Sequence, residues 1–152
     1  MVRVANTEVD TTPPAPGDLE LVRAFMSLHD HDAGRTESLP PSGATIRWWL
    51  AEAGLLDPSE DAPDPDLAWA AEVLEALRSR VFENMGEPVD PAAVRRLDEA
   101  AASAGLVPSF GDNGLVPAAG GVRGAVGRLL AVAFLAELDG SWRRFRECGG
   151  ED

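Results

Sequence analysis

The stretch Gly120–Cys148, GGVRGAVGRLLAVAFLAELDGSWRRFREC, decides how the rest of the chain is read. From Leu129 to Ala136 every side chain is apolar, with no polar residue on any helical face. A helix of that kind has to be covered all round, yet the run is far shorter than the roughly 20 apolar residues a membrane span needs. It reads as the central, C-terminal helix of a soluble domain, with Leu130 and Phe134 in the core. Beyond it the chain turns at Asp139-Gly140 and becomes basic and aromatic through Trp142, Arg143, Arg144, Phe145 and Arg146, before the lone cysteine, Cys148.

The chain enters this helix through Gly120, Gly121, Gly124 and Gly127. Glycine inside a helix costs about 1 kcal/mol relative to alanine. Glycines three or four residues apart therefore predict that another backbone, or a ligand, lies close against that turn.

Working back from there, Leu106–Phe110 and Leu115–Pro117 read as a small β-hairpin, with Asn113-Gly114 favouring a two-residue type I′ turn and the prolines confining the strands to an edge. Before it, Asp90-Pro91 opens a helix with Val94, Leu97 and Ala101 inward and Gly105 at its end. The same device at Asp64-Pro65 opens another, with Asp64 as cap and Ala70, Val73, Leu74, Leu77 and Val81 buried. These two helices, joined by a short loop, should pack as a pair. Ser42 caps a helix in which Ile46, Trp49, Leu50 and Ala53 share a face and Gly54 ends it. That places Trp49 in the core and turns Trp48 about 100° away, to a boundary or a cleft. Asp18 can cap a first helix with Leu19, Val22, Phe25 and Met26 on one side, ending around His29–Gly34, although the same stretch is also compatible with a strand. Residues 1–17, rich in threonine and proline, read as a flexible arm. The fold class expected is mainly α, about five helices with a small β-hairpin before a central apolar C-terminal helix.

Composition narrows the function. The 152 residues fit one domain, and 13 basic against 26 acidic side chains leave a net charge of −13, which opposes binding to a phosphate backbone. A single cysteine excludes an internal disulfide and suits a cytoplasmic protein. No apolar stretch near Met1 reads as a signal peptide.

The candidate chemistry is sparse. His29-x-His31, flanked by Asp30 and Asp32, has the residue types of a metal site, but side chains two apart do not share a helix face, and a solvated helix end is the simpler reading. Trp48 and the glycine-rich turn at Gly124 and Gly127 are the candidate ligand pocket. Cys148 alone cannot hold zinc, because a structural site needs four ligands and one thiolate supplies one, and by itself it also reads as an incidental thiol. No nucleophile elbow, H-E-x-x-H motif or phosphate loop is present, so no enzymatic activity is expected.

In this order the features resemble the N-terminal ABATE domain of bacterial CGNR zinc-finger proteins, a family described as "putative stress-induced transcription regulators". The resemblance is carried by Leu21–Asp32 (LVRAFMSLHDHD), Ile46–Leu55 (IRWWLAEAGL), Leu74–Arg80 (LEALRSR), Val94–Ala101 (VRRLDEAA), the hairpin and apolar helix, and Trp142–Cys148 (WRRFREC), which looks like the lead-in to the finger. Ser27 and Leu28 stand where the family's Asn-Thr would fall, and Asp98 where its Asn would.

The resemblance implies a helical regulatory domain over 18–141, sensing a small molecule or a protein partner, with 142–152 the start of a truncated zinc finger. It also implies zinc in a longer protein with Cys148 as first ligand, and DNA contact only through that finger. The expectation is that the gene continues past Asp152. The alternatives are a dimerisation or interaction module without a ligand, here a homodimer, or an uncharacterised enzyme. No membrane partner is expected.

Overall fold

The computed structural model describes residues 17–33 and 41–145, and for Gly17 and residues 30–33 the backbone alone. The expected arm before Gly17, the side chain of His31, and Cys148 with its flanking residues lie outside the described residues. The elements run α1 (Gly17–Ala33), α2 (Gly43–Glu52), α3 (Asp64–Glu83), α4 (Pro91–Ala104), β1 (Leu106–Ser109), β2 (Gly114–Pro117), α5 (Gly121–Asp139) and a 3-10 turn (Ser141–Arg144). The class is mainly α, with five helices and one antiparallel hairpin among the described residues.

Helix α5 lies against α1, α3, α4, β2 and the 3-10 turn. Val122, Val126 and Leu129 of α5 are fully buried with Val22 and Phe25 of α1, Ile46 and Leu50 of α2, and Val73, Leu74 and Leu77 of α3. The covering is incomplete, and here the expectation of burial all round fails. Phe134 is 51% exposed and Leu138 68%, because nothing among the described residues packs over the outer side of the helix's last two turns. Leu130 is buried as expected. An unbroken apolar run carries no periodicity, so the sequence gives no sign of which face is left open.

Local chemistry sets the helix ends. The Ser42 hydroxyl accepts from the Thr45 backbone N–H, and the Asp90 carboxylate accepts from Ala92 N–H with Pro91 behind it. Gly105 closes α4 in the left-handed region (φ 69°). Helix α3 starts one residue earlier than expected: Pro63 occupies the cap position and offers no side-chain acceptor, leaving Asp64 and Asp66 in the first turn, where their charge favours the helix dipole.

The hairpin pairs Leu106 with Pro117 and Ser109 with Gly114. Its loop is therefore the four residues Phe110–Asn113, longer than the type I′ turn expected. Asn113 takes the left-handed conformation (φ 57°), and the Ser109 hydroxyl holds the loop by donating to Asp112 and accepting from the Asp112 N–H. The hairpin is fastened to α4 by Ala118 N–H to Gly105 O (2.9 Å) and Ala119 N–H to Ala104 O (3.0 Å).

One aromatic position differs from expectation. Trp49 sits at the margin of the core, partly exposed, its ring 5.6 Å from that of Phe25. Trp142 and Phe145, in the basic and aromatic segment after α5, are buried in the core with their rings 4.8 Å apart, while Arg143 and Arg144 between them stay exposed. A 3-10 turn eclipses residues three apart, so the two aromatic rings fall on one side and the two guanidinium groups on the other.

Candidate functional site

Helix α4 rests on its neighbours by its small residues. Ala93, Ala100 and Ala104 are buried, whereas Val94, Leu97 and Ala101, the positions expected inward, are only partly covered. Alanines let helices approach closely, and the longer side chains beside them are left bordering a gap. That gap is a cavity of about 410 Å³ between α3, α4, the hairpin and α5. Its walls are Leu77, Val94, Leu97, Ala101, Leu106, Leu115, Leu130, Ala133 and Phe134, and its polar groups are Arg80, Asp98 and Glu137. The half-exposed Phe134 is part of this wall.

The polar groups are unequal. Arg80 Nη2 donates to Glu137 Oε1 at 2.8 Å and Nε to Glu137 Oε2 at 3.2 Å, while Nη1 donates to Glu83 Oε2 at 3.1 Å. A two-pronged guanidinium–carboxylate pair of this kind fixes both side chains in direction as well as distance. The hydrogen bonds that Arg80 donates to Glu137 push its pKa further up, against the opposing effect of burial, so the guanidinium is charged at every accessible pH. Asp98 makes no hydrogen bond or ion pair among the described residues.

The anticipated site residues do not converge. Trp48 is 53% exposed and borders a separate, shallow depression with Ala44, Arg47, Ala51, Pro58, Ala62, Asp64 and Leu67. Gly124 and Gly127 face the chain itself. A Cβ at Gly124 would stand 2.2 Å from Ala119 O, and one at Gly127 2.7 Å from Ala104 Cβ and 3.1 Å from Pro117 Cβ. Of the two readings of the glycine spacing, close approach of another segment is the one observed. The glycines seat the hairpin and the end of α4 on α5, and so shape the cavity from behind.

His29 is buried, not solvated as expected, and its Nδ1 lies 2.5 Å from Glu75 Oε2. Glu75 borders a wider groove of about 700 Å³ along α3 and the start of α4, with Asp64, Glu72, Asp90 and Arg96 on its rim, where Arg96 and Glu72 are paired. Among the described residues no group of three or more His, Cys, Asp and Glu side chains is placed to hold a metal ion.

The cavity connects to the end of the chain's described part. Helix α5, which forms one wall, runs directly into the 3-10 turn, and the turn is tied back to α3: the Asn84 side-chain amide donates to Trp142 O at 2.8 Å and to Phe145 O at 3.0 Å. Asn84 follows Arg80 by one helical turn. The ion pair in the last turn of α3 and the amide clamp just past its end are therefore neighbours.

These features define a mainly helical domain with a largely apolar cavity between α3, α4, the hairpin and α5 and, among the described residues, no helix long and apolar enough to cross a membrane. Residues 19–140 match the ABATE family model, described as "Putative stress-induced transcription regulator", and the chain belongs to that family. No curated protein and no solved structure is significantly similar to it.

Proposed function

We propose that the domain is the sensing half of a transcription regulator and acts by binding, not catalysis. A small molecule in the cavity between α3, α4, the hairpin and α5 shifts the population of two placements of the exit segment Trp142–Phe145. That shift changes how a DNA-binding zinc finger, with Cys148 as its first ligand, is presented. The observation that carries this reading is the shared use of α3: Arg80 reaches Glu137 across the cavity rim, and Asn84, one turn later, holds the carbonyls of Trp142 and Phe145. A ligand that binds one placement better than the other moves the equilibrium by its difference in affinity, and by nothing else. The volume, about 410 Å³, is in the range of small-molecule pockets.

A small-molecule screen by NMR tests it. Compounds that shift the methyl signals of Leu130 and Ala133 should also change amide exchange at Trp142–Phe145. The Asn84→Ala variant should keep the first effect and lose the second. Occupancy of the cavity with an unchanged exit segment, for every compound found, would sink the reading.

A second reading is favoured by one observation. Phe134, Leu135 and Leu138 on α5 and Phe110 at the hairpin tip are exposed, and an apolar surface rimmed by polar residues is the usual mark of a protein contact. In this reading the chain is a homodimerisation module. Sedimentation of the chain over a range of concentrations separates the two, since Leu138→Glu should abolish self-association if that face pairs.

A further inference from the structure

The charge around the cavity carries the argument from the existence of a ligand to its class. The lining has one more carboxylate than guanidinium. The guanidinium of Arg80 commits three of its five N–H groups to carboxylates of this chain, Nε and Nη2 to Glu137 and Nη1 to Glu83, so an incoming anion meets a cation whose charge is already matched. The acidic side is different. Asp98 projects from the partly covered face of α4, beside Leu97 and Ala101 of the same wall, and has no partner among the described residues. A ligand entering the cavity therefore meets apolar side chains over most of its surface and one uncompensated negative charge at the edge.

We propose that the cavity selects an amphipathic monocation: an apolar body seated against Leu77, Leu97, Leu130 and Phe134, with an ammonium or amidinium group on the Asp98 carboxylate. This rests on the sensing reading above and specifies the ligand of the same cavity. The apolar body supplies affinity by removing hydrocarbon surface from water. The charge supplies discrimination, because at the exposed Asp98 carboxylate an ammonium gains a solvent-screened attraction that an alcohol lacks and a carboxylate turns into repulsion. A carboxylate ligand of the same shape is disfavoured by repulsion from Asp98, and Arg80 offers it little attraction because Glu137 and Glu83 already match its charge. The paired Arg80 and Glu137 set the boundary of the apolar region, and their mutual bond keeps either from competing with Asp98 for the ligand's cationic end.

Three probes of matched shape test the class: phenylpropylamine, phenylpropanol and phenylpropanoate, each titrated into the whole chain and followed at the methyl signals of Leu130 and Ala133. The amine should bind about tenfold more tightly than the alcohol, and the acid most weakly. In Asp98→Asn the amine should fall to the affinity of the alcohol. Asp98 is exposed, so the variant should fold; its melting curve and the alcohol titration confirm that. Glu99→Gln, which neutralises an exposed neighbour outside the lining, should leave the amine's advantage in place. If alcohol and amine bind the cavity equally, or if Asp98→Asn leaves the preference intact, or if the acid binds best, the cationic class is overturned while the cavity remains a ligand site. If none of the three reaches the Leu130 and Ala133 methyls at millimolar concentration, the class and the sensing reading fall together.

Discussion

Arg80 and Glu137, 57 residues apart in the chain, are joined by two hydrogen bonds that bind the last turn of α3 to the end of α5. The pair is largely covered but not sealed, with side-chain exposures of 22% and 30%. Its value lies between that of an exposed ion pair, up to about 1 kcal/mol, and that of a hydrogen bond to a charged group, about 1.5–3 kcal/mol.

The double-mutant cycle of Arg80→Ala and Glu137→Gln should accordingly show a coupling of about 1 kcal/mol in urea unfolding. Each single variant should cost about 1–2 kcal/mol. A coupling indistinguishable from zero would mean that the two side chains do not hold the helices together.

Substitution at the two buried glycines should be among the most damaging changes in the chain. Alanine at Gly124 meets the Ala119 carbonyl oxygen, a backbone atom that cannot swing aside, and alanine at Gly127 meets Ala104 and Pro117. The helix-propensity gain of about 1 kcal/mol should be outweighed, giving net losses of about 1–3 kcal/mol or more. Gly111→Ala, with open space around its Cβ position, should be near neutral in the same melts.

Leu130 and Phe134 should separate cleanly although they lie one turn apart on the same helix. Leu130→Ala empties a buried position and should cost about 2–5 kcal/mol. Phe134→Ala removes a ring that is half in solvent and should cost about 1 kcal/mol or less, while enlarging the mouth of the cavity. Denaturant melts of the two variants measure the difference directly.

Much of the fold is legible in the residues alone, and the reason is local. Ser42, Asp90 and Gly105 announce helix ends by chemistry that acts within four residues, and the one-sided patterns of α1 and α3 name their buried faces. The cavity is not legible in that way. It exists because three alanines of α4 pack closely where Val94 and Leu97 had the stronger apolar signal, and because Arg80 meets a carboxylate far along the chain. The spacing of Gly124 and Gly127 pointed correctly to a close approach, but glycine spacing cannot say whether the neighbour is a ligand or the chain itself. For Phe134 there was no pattern to read, since the residues around it are apolar on every side.

Acid should weaken the fold by stages that two exposed carboxylates help to set. The Asp139 pKa is lowered from the ordinary 3.8 by the hydroxyl and then the backbone N–H of Ser141, and that of Asp57 by the backbone N–H and then the hydroxyl of Ser59. A carboxyl whose folded pKa lies below its unfolded value contributes stability that is complete above the unfolded value and disappears as pH falls through the folded one. Their contribution should be constant above about pH 5 and lost below the ordinary aspartate range. NMR titration of the two side chains checks the direction, and Asp139→Asn should flatten part of the acid limb of the stability curve.

The clamp on the exit segment is a neutral amide, Asn84 at the cap of α3, whereas the tie at the cavity rim, in the last turn of that helix, is ionic. Raised ionic strength screens the second and has no charge to act on in the first. Concentrated electrolyte should thus loosen the rim while the exit stays fastened, so that one solvent variable pulls apart two events that a bound ligand would couple.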